Sequence, residues 1–143
     1  MGIIISPFTI DCYEGVYALW EQCQGIALSG ADSRDNIALY LKRNPEMSFV
    51  AIDDGDIAGS ILSGHDGRRG YIHHLAVKSE YRRQGLGRKL AEKCVSALQK
   101  AGIQKCHLFI FNHNTGGLAF WKAIGWTRRS ELNIISKIIE HPT

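Results

Sequence analysis

Residues 75–87, Leu-Ala-Val-Lys-Ser-Glu-Tyr-Arg-Arg-Gln-Gly-Leu-Gly, constrain this chain more than any other stretch. The apolar start reads as the end of a buried strand and the polar middle as a loop. Leu86, Leu90, Cys94 and Leu98 then recur on one stripe, with Ala91 and Val95 beside it, and predict a helix over residues 87–101. Gly85 and Gly87 leave no side chains where the backbone turns onto that helix. The amides of residues 83–88 would face outward at its start, where unpaired donors and partial positive charge suit a pyrophosphate. Lys78, Arg82, Arg83, Arg88, Lys89 and Lys93 crowd the same region. Such a cluster fits a ligand with several phosphates better than a sugar or a peptide. No Gly-Lys-Ser/Thr follows, so this is not a Walker loop; the third glycine and later acidic residue of a dinucleotide fingerprint are also missing. Short glycine motifs recur by chance, and a turn before a solvated cationic helix stays open as the plainer reading.

The flanking chain supplies a context for this loop. Gly2 to Ser6 reads as a short strand. From Thr9, Tyr13, Val16, Tyr17 and Trp20 predict an amphipathic helix with Thr9 at its N-cap. Gln24 to Asp32 reads as a loop, and Ser33 caps a second helix carrying Ile37, Tyr40 and Leu41, stopped at Asn44-Pro45. Met47–Ile52, Ile57–Ser63 and Gly70–Val77 predict three consecutive antiparallel strands; Asp54-Gly55 is a hairpin signal and Asp66-Gly67 a second turn. Gly102 ends the long helix. Lys105 to Phe111 is the next strand, Asn114 caps a helix running to Ile124, and Trp126 to Ile139 supplies one or two final strands. Strand, helix, strand from Tyr71 to Phe111 is a βαβ unit with two parallel neighbours. The expected class is α/β or α+β, one mixed sheet covered by helices.

Composition excludes several functions. A chain of 143 residues suits one domain that needs no staple. Cys12, Cys23, Cys94 and Cys106 form no C-x-x-C pair and read as reduced thiols, which with no leader segment points to the cytoplasm. No apolar run approaches the roughly 20 residues that span a bilayer. The net charge of +3 is focused at one helix start, not spread along a face with aromatic partners, which argues against nucleic acid. His65, Asp66, His73 and His74 lack the spacing of a metal site, and no metal is expected.

The segment at residues 82–87 resembles the acetyl-CoA-binding motif of the GNAT (Gcn5-related) N-acetyltransferase superfamily. A second block, residues 114–126 (Asn-Thr-Gly-Gly-Leu-Ala-Phe-Trp-Lys-Ala-Ile-Gly-Trp), resembles the family's Asn-to-Gly-Phe block at the same spacing. The resemblance covers Met47 to Trp126 well, and is nearest to small, uncharacterised bacterial acetyltransferases. It implies a GNAT fold in one domain: residues 1–46 as the N-terminal strand and acceptor-side helices, 47–126 as the acetyl-CoA-binding core, and 127–143 as C-terminal strands. It implies splayed parallel strands, with pantetheine beside the backbone of Leu75, Ala76 and Val77. It implies a pyrophosphate on the amides of Arg83, Gln84, Gly85, Leu86, Gly87 and Arg88, next to Arg82. Asn114 would meet or orient the pantetheine arm, while also serving as a helix cap.

The chemistry implied is direct transfer of an acetyl group to a primary amine, from a small molecule or a protein terminus, by a monomer or homodimer. A base must take the amine proton. The glutamate many relatives use corresponds here to Phe109, so the expectation moves to the strand Tyr71-Ile72-His73-His74-Leu75. Alternation puts Tyr71, His73 and Leu75 on one face. By similarity to the aralkylamine acetyltransferase branch that face meets the thioester, which makes His73 the first candidate base and His74 the second. A structural strand histidine is the competing reading of either. Where the family has a tyrosine acid this chain has Trp121, whose indole is no acid near neutral pH, so Trp121 is assigned to packing on the cofactor, and Tyr71 or water to protonating the thiolate. Cys94 and Cys106 read as buried and are poor nucleophiles. Gln24 to Asp32, the second helix and Arg128-Arg129 would select the acceptor. Asp32, Asp35 and Asp66 would attract a cation or simply be solvated. A non-catalytic acyl-CoA-binding module is the alternative.

Overall fold

The computed structural model describes residues 2–140, and the chain forms two compact units, Met1–Phe109 and Ile110–Thr143. The first contains β1 (Ile3–Pro7), α1 (Tyr13–Gln22), α2 (Arg34–Arg43), β2 (Phe49–Asp53), β3 (Asp56–His65), β4 (Gly70–Val77), α3 (Leu86–Lys100) and β5 (Cys106–Leu108). Five strands form one sheet in sequence order, antiparallel through β4, with β5 parallel to β4. The mixed sheet and its βαβ unit agree with the sequence.

Local chemistry explains most element ends. Ser33 accepts the Asn36 amide at 3.2 Å and starts α2. Thr9 opens a 3-10 turn, Ile10–Cys12, that leads into α1, but its side chain makes no cap bond. Asp54 (φ +50°) and Gly55 (φ +86°) both take positive φ, the geometry of a two-residue turn that matches strand twist. Asp66 Oδ1 accepts the amides of Arg68 and Arg69, each at 2.8 Å. The Arg69 and Arg68 amides hold that carboxyl below its usual range, so Asp66 is a turn residue.

The sheet has a helix layer on each face. On one, Val16, Leu19 and Trp20 of α1 and Ile37 of α2 pack with Phe8, Tyr13, Val50, Leu62 and Ala76. On the other lies α3, whose Leu86, Leu90, Ala91, Cys94 and Leu98 are buried. Neighbouring residues of β3 show the two faces. A Cβ at Gly59 would sit 3.1 Å from Leu90, while the Ser60 hydroxyl accepts Trp20 Nε1–H at 3.2 Å. Fully burying a side chain such as Leu90 stabilises by roughly 1.5–3 kcal/mol.

In the second unit, α4 (Thr115–Ala123) begins where Asn114 Oδ1 accepts the Gly117 amide at 2.9 Å. It ends before Gly125, at φ +100°. Trp121 stands edge-on to Trp126, centroids 4.9 Å apart. The C-terminal strands expected over residues 127–143 do not form among the described residues, which stop at 140. Leu132, Ile134, Ile135, Ile138 and Ile139 have strand propensity, but a strand needs a ladder and this segment has none; Ile135 is 94% exposed. The strand expected over residues 105–111 likewise shrinks to Cys106–Leu108, because its ladder with β4 holds only three residue pairs.

Candidate active site

The site begins where two parallel strands part. The β4–β5 ladder runs Gly70–Cys106, Tyr71–His107, Ile72–Leu108 and stops, although β4 continues to Val77. From His73 onward β4 therefore pairs only with β3 in the sheet. On that side the register steps from Leu62–His73 to Ser60–Ala76, two residues of β3 against three of β4. The extra residue makes a bulge, and His74 takes φ +51° within it. A left-handed residue with a side chain costs about 1–2 kcal/mol, and histidine is among the types that tolerate it.

The bulge corrects the expected alternation. His73 meets the Tyr40 ring of α2 at 6.0 Å, and His74 meets Trp20 of α1 at 5.0 Å, so two adjacent side chains enter the same helix-covered face. Ala76 joins that core too, so Leu75 turns to the opposite side instead of sharing the face of Tyr71 and His73. Burial holds His73 below the ordinary histidine range, with His74 beside it adding to the effect and Asp32 opposing it.

His74 is bound more firmly. Its Nε2 lies 2.8 Å from Asp32 Oδ1, with the two side chains 18% and 7% exposed. The other Asp32 oxygen accepts the Ser29 amide at 3.0 Å, and the Asp32 carbonyl accepts the Tyr13 hydroxyl at 2.6 Å. Asp32 ends the 3-10 turn Gly30–Asp32, in which Ser29 and Asp32 cap each other's amides. From the sequence Asp32 reads as a solvated charge or as an attractor of a cation; the structure instead buries it against His74. A signal was present: Ser29-x-x-Asp32 is a capping-box spacing, which turns its carboxylate inward onto the chain.

Beyond Val77 the chain forms the glycine-containing loop of residues 78–85. Ser79–Tyr81 is a 3-10 turn, Arg83 (φ +64°) and Gly85 (φ +78°) are left-handed, and α3 starts at Leu86 with no side-chain cap. Left-handed residues in such a turn point successive amides into one concavity that favours anions. A Cβ on Gly85 would meet nothing within 4 Å, so the approach to the backbone is open. Tyr81 anchors the loop by donating to Asp53 at 2.6 Å, a bond that pushes its hydroxyl up to about 12. Arg82 Nε donates to the Val77 carbonyl at 3.0 Å. Lys78 pairs with Glu80 and Arg88 with Glu92, so part of the local positive charge is already countered.

The remaining assignments divide. Tyr71 lies against His107 and Phe109 at 5.8 and 6.1 Å, an aromatic group where β4 and β5 separate. Phe109 brings no acid or base there. Burial pushes the Cys94 thiol up to about 12 and that of Cys106 up to about 11, which makes both poor nucleophiles. Asn114 and Trp121 belong to the second unit, where the first caps α4 and the second packs on Phe120 and Trp126. Among the described residues, no three His, Cys, Asp or Glu side chains gather as a metal site would need.

Comparisons with known proteins bear on the family and the fold. A model of the acetyltransferase (GNAT) family matches residues 13–126. An acetyltransferase of Pectobacterium atrosepticum is 27% identical over 136 residues, 95% of this chain and 96% of its own. Ard1 of Thermoplasma volcanium superposes with a TM-score of 0.78 at 20% identity, covering 89% of this chain and 84% of that one. The PaiA N-acetyltransferase of Thermoplasma acidophilum, solved in complex with coenzyme A, superposes with a TM-score of 0.76 at 19% identity, covering 89% and 91%.

Proposed function

Because the chain belongs to the GNAT acetyltransferase family, we propose that it moves an acetyl group from acetyl-CoA to a primary amine while both are bound. The observation that carries this reading is the parting of β4 from β5 after Ile72, with the amide-rich loop directly beyond β4. The backbone of Leu75, Ala76 and Val77 offers an edge for the pantetheine amides, and one of those N–H groups is suited to polarise the thioester carbonyl. The amides of Arg83, Gln84, Gly85, Leu86, Gly87 and Arg88 face the pyrophosphate, with Arg82 beside them. Acetyl-CoA supplies an activated acyl group on a thiol that leaves readily. The chain supplies a proton acceptor from His73 or His74, and Tyr71 or water is assigned to returning a proton to sulfur.

Calorimetry on the purified chain tests the donor site, and thiol release from acetyl-CoA with a panel of amines tests turnover. Binding of coenzyme A is the expected result; no heat with either coenzyme A or acetyl-CoA sinks the reading. Tight binding without turnover on any amine would favour a binding module, the reading that Phe109 and Trp121 keep in view. Gly85→Val should weaken coenzyme A binding at least tenfold. Gly85→Asn, which tolerates positive φ, should weaken it too, and normal affinity in both variants contradicts the phosphate placement.

A further inference from the structure

We propose that Asp32 is a positioning residue that fixes His74 as the catalytic base, with Nδ1 as the atom that takes the proton; this rests on the acetyl-transfer reading above. An ionised carboxylate only accepts, so Nε2 must be the donor across the 2.8 Å contact. In the neutral ring that assigns the proton to Nε2 and leaves the lone pair on Nδ1. Among the described residues Nδ1 has no hydrogen-bond partner, and none of their buried side-chain nitrogens or oxygens lacks one, so Nδ1 is not sealed from solvent. A base whose far nitrogen is held by a buried carboxylate is the arrangement that activates imidazole in nucleophile–base–carboxylate sites.

Every contact around the ring restricts it. Asp32 is itself fixed by the Ser29 amide and by Tyr13 on its carbonyl, so the carboxylate cannot swing away. Trp20 covers the ring edge-to-face and is tethered to Ser60. The bulge holds the backbone of His74 left-handed, within the stretch of β4 that β5 has left. His73 has no hydrogen-bonded carboxylate among the described residues: it lies against Tyr40, and Asp32 acts on it only through space. The helix-side turn at Gly30–Asp32 thus reaches across to the strand and sets one ring atom.

In the step, Nδ1 of His74 takes one proton from the ammonium form of the acceptor, which frees the nitrogen lone pair. That nitrogen forms the new C–N bond as the C–S bond breaks, and the sulfur keeps the electron pair. The second proton lost by nitrogen ends on sulfur, giving the amide, free coenzyme A and one proton released from His74 to water.

The test uses the full chain, acetyl-CoA and the best acceptor of the amine panel. His74→Gly suits the backbone, since glycine prefers positive φ. It should bind coenzyme A within about twofold of wild type yet lose about 100-fold or more in kcat. Added 4-methylimidazole should restore at least tenfold of that loss, which a structural role would not allow. Asp32→Asn should lower kcat by about 10–100-fold with the KM for acetyl-CoA unchanged, and in the double variant 4-methylimidazole should no longer help. Nitrogen-15 NMR on the wild type, a readout that needs no acceptor, should show the neutral ring of His74 protonated on Nε2. An Nδ1-protonated ring, full turnover in His74→Gly, or equal losses of affinity and kcat in Asp32→Asn overturns the proposal. If the wild type binds no coenzyme A, the acetyl-transfer reading falls and the catalytic role falls with it, whereas intact binding with full turnover in His74→Gly sinks this inference alone.

Discussion

His73 and His74 are neighbours in sequence, yet different forces act on them. His73 is held below its ordinary range chiefly by burial. Its unfolded form therefore binds a proton more readily than its folded form. The sign follows: stability is fully present above the unfolded value of about 6.5 and is lost as pH falls below it. A His73→Asn variant should accordingly show a flatter fall of Tm between about pH 7 and 5 than the wild type, as melting curves across that window would show. A parallel fall in the two proteins would mean that His73 does not carry this dependence. The sequence made both histidines candidates because both stand on the strand that enters the glycine loop. It did not show Asp32 as the partner of His74, since the two lie 42 residues apart and only the folded turn brings them together.

The elements whose ends rest on local chemistry were legible. Ser33 and Asn114 cap helices as their residue types suggested, and Asp54-Gly55 makes the turn its dihedral preference predicts. What could not be read were features set by pairing between distant segments. The short β4–β5 ladder and the bulge are matters of register, and periodicity records only the phase of a strand. The absence of C-terminal strands among the described residues has the same origin. The sheet's contact with α3 offers a direct check on element packing. A Cβ at Gly59 would lie 3.1 Å from both Leu90 and the Ala76 carbonyl oxygen. Gly59→Ala should therefore cost about 1–3 kcal/mol by crowding α3 against the sheet. Gly30→Ala has open space and should change stability by less than about 0.5 kcal/mol. Urea midpoints for the two variants give the comparison, and equal midpoints would remove the crowding argument.

At the scale of the whole molecule, all four cysteines are free and they differ in depth. Cys94 is fully buried between α3 and the sheet, with its thiol pushed up to about 12 by burial, while Cys12 and Cys23 are partly exposed. A thiol reagent should modify Cys12 and Cys23 rapidly and Cys94 only when the first unit opens, so its labelling rate should track unfolding as urea is added. Labelling of Cys94 as fast as Cys23 in buffer would show that α3 lifts away independently.

The added residue in β4 acts as a change of reading frame within the strand. Upstream, odd-numbered positions look toward α1 and α2; downstream, even-numbered ones do. Removing one amino acid from this stretch would restore plain pleating, but only by expelling one imidazole or by turning Ala76 out of its core. The placement of the two rings is therefore guarded by the length of the strand as much as by its composition. Chains that keep both histidines but lose one neighbouring position would be expected to fold, yet be unable to hold both rings in place.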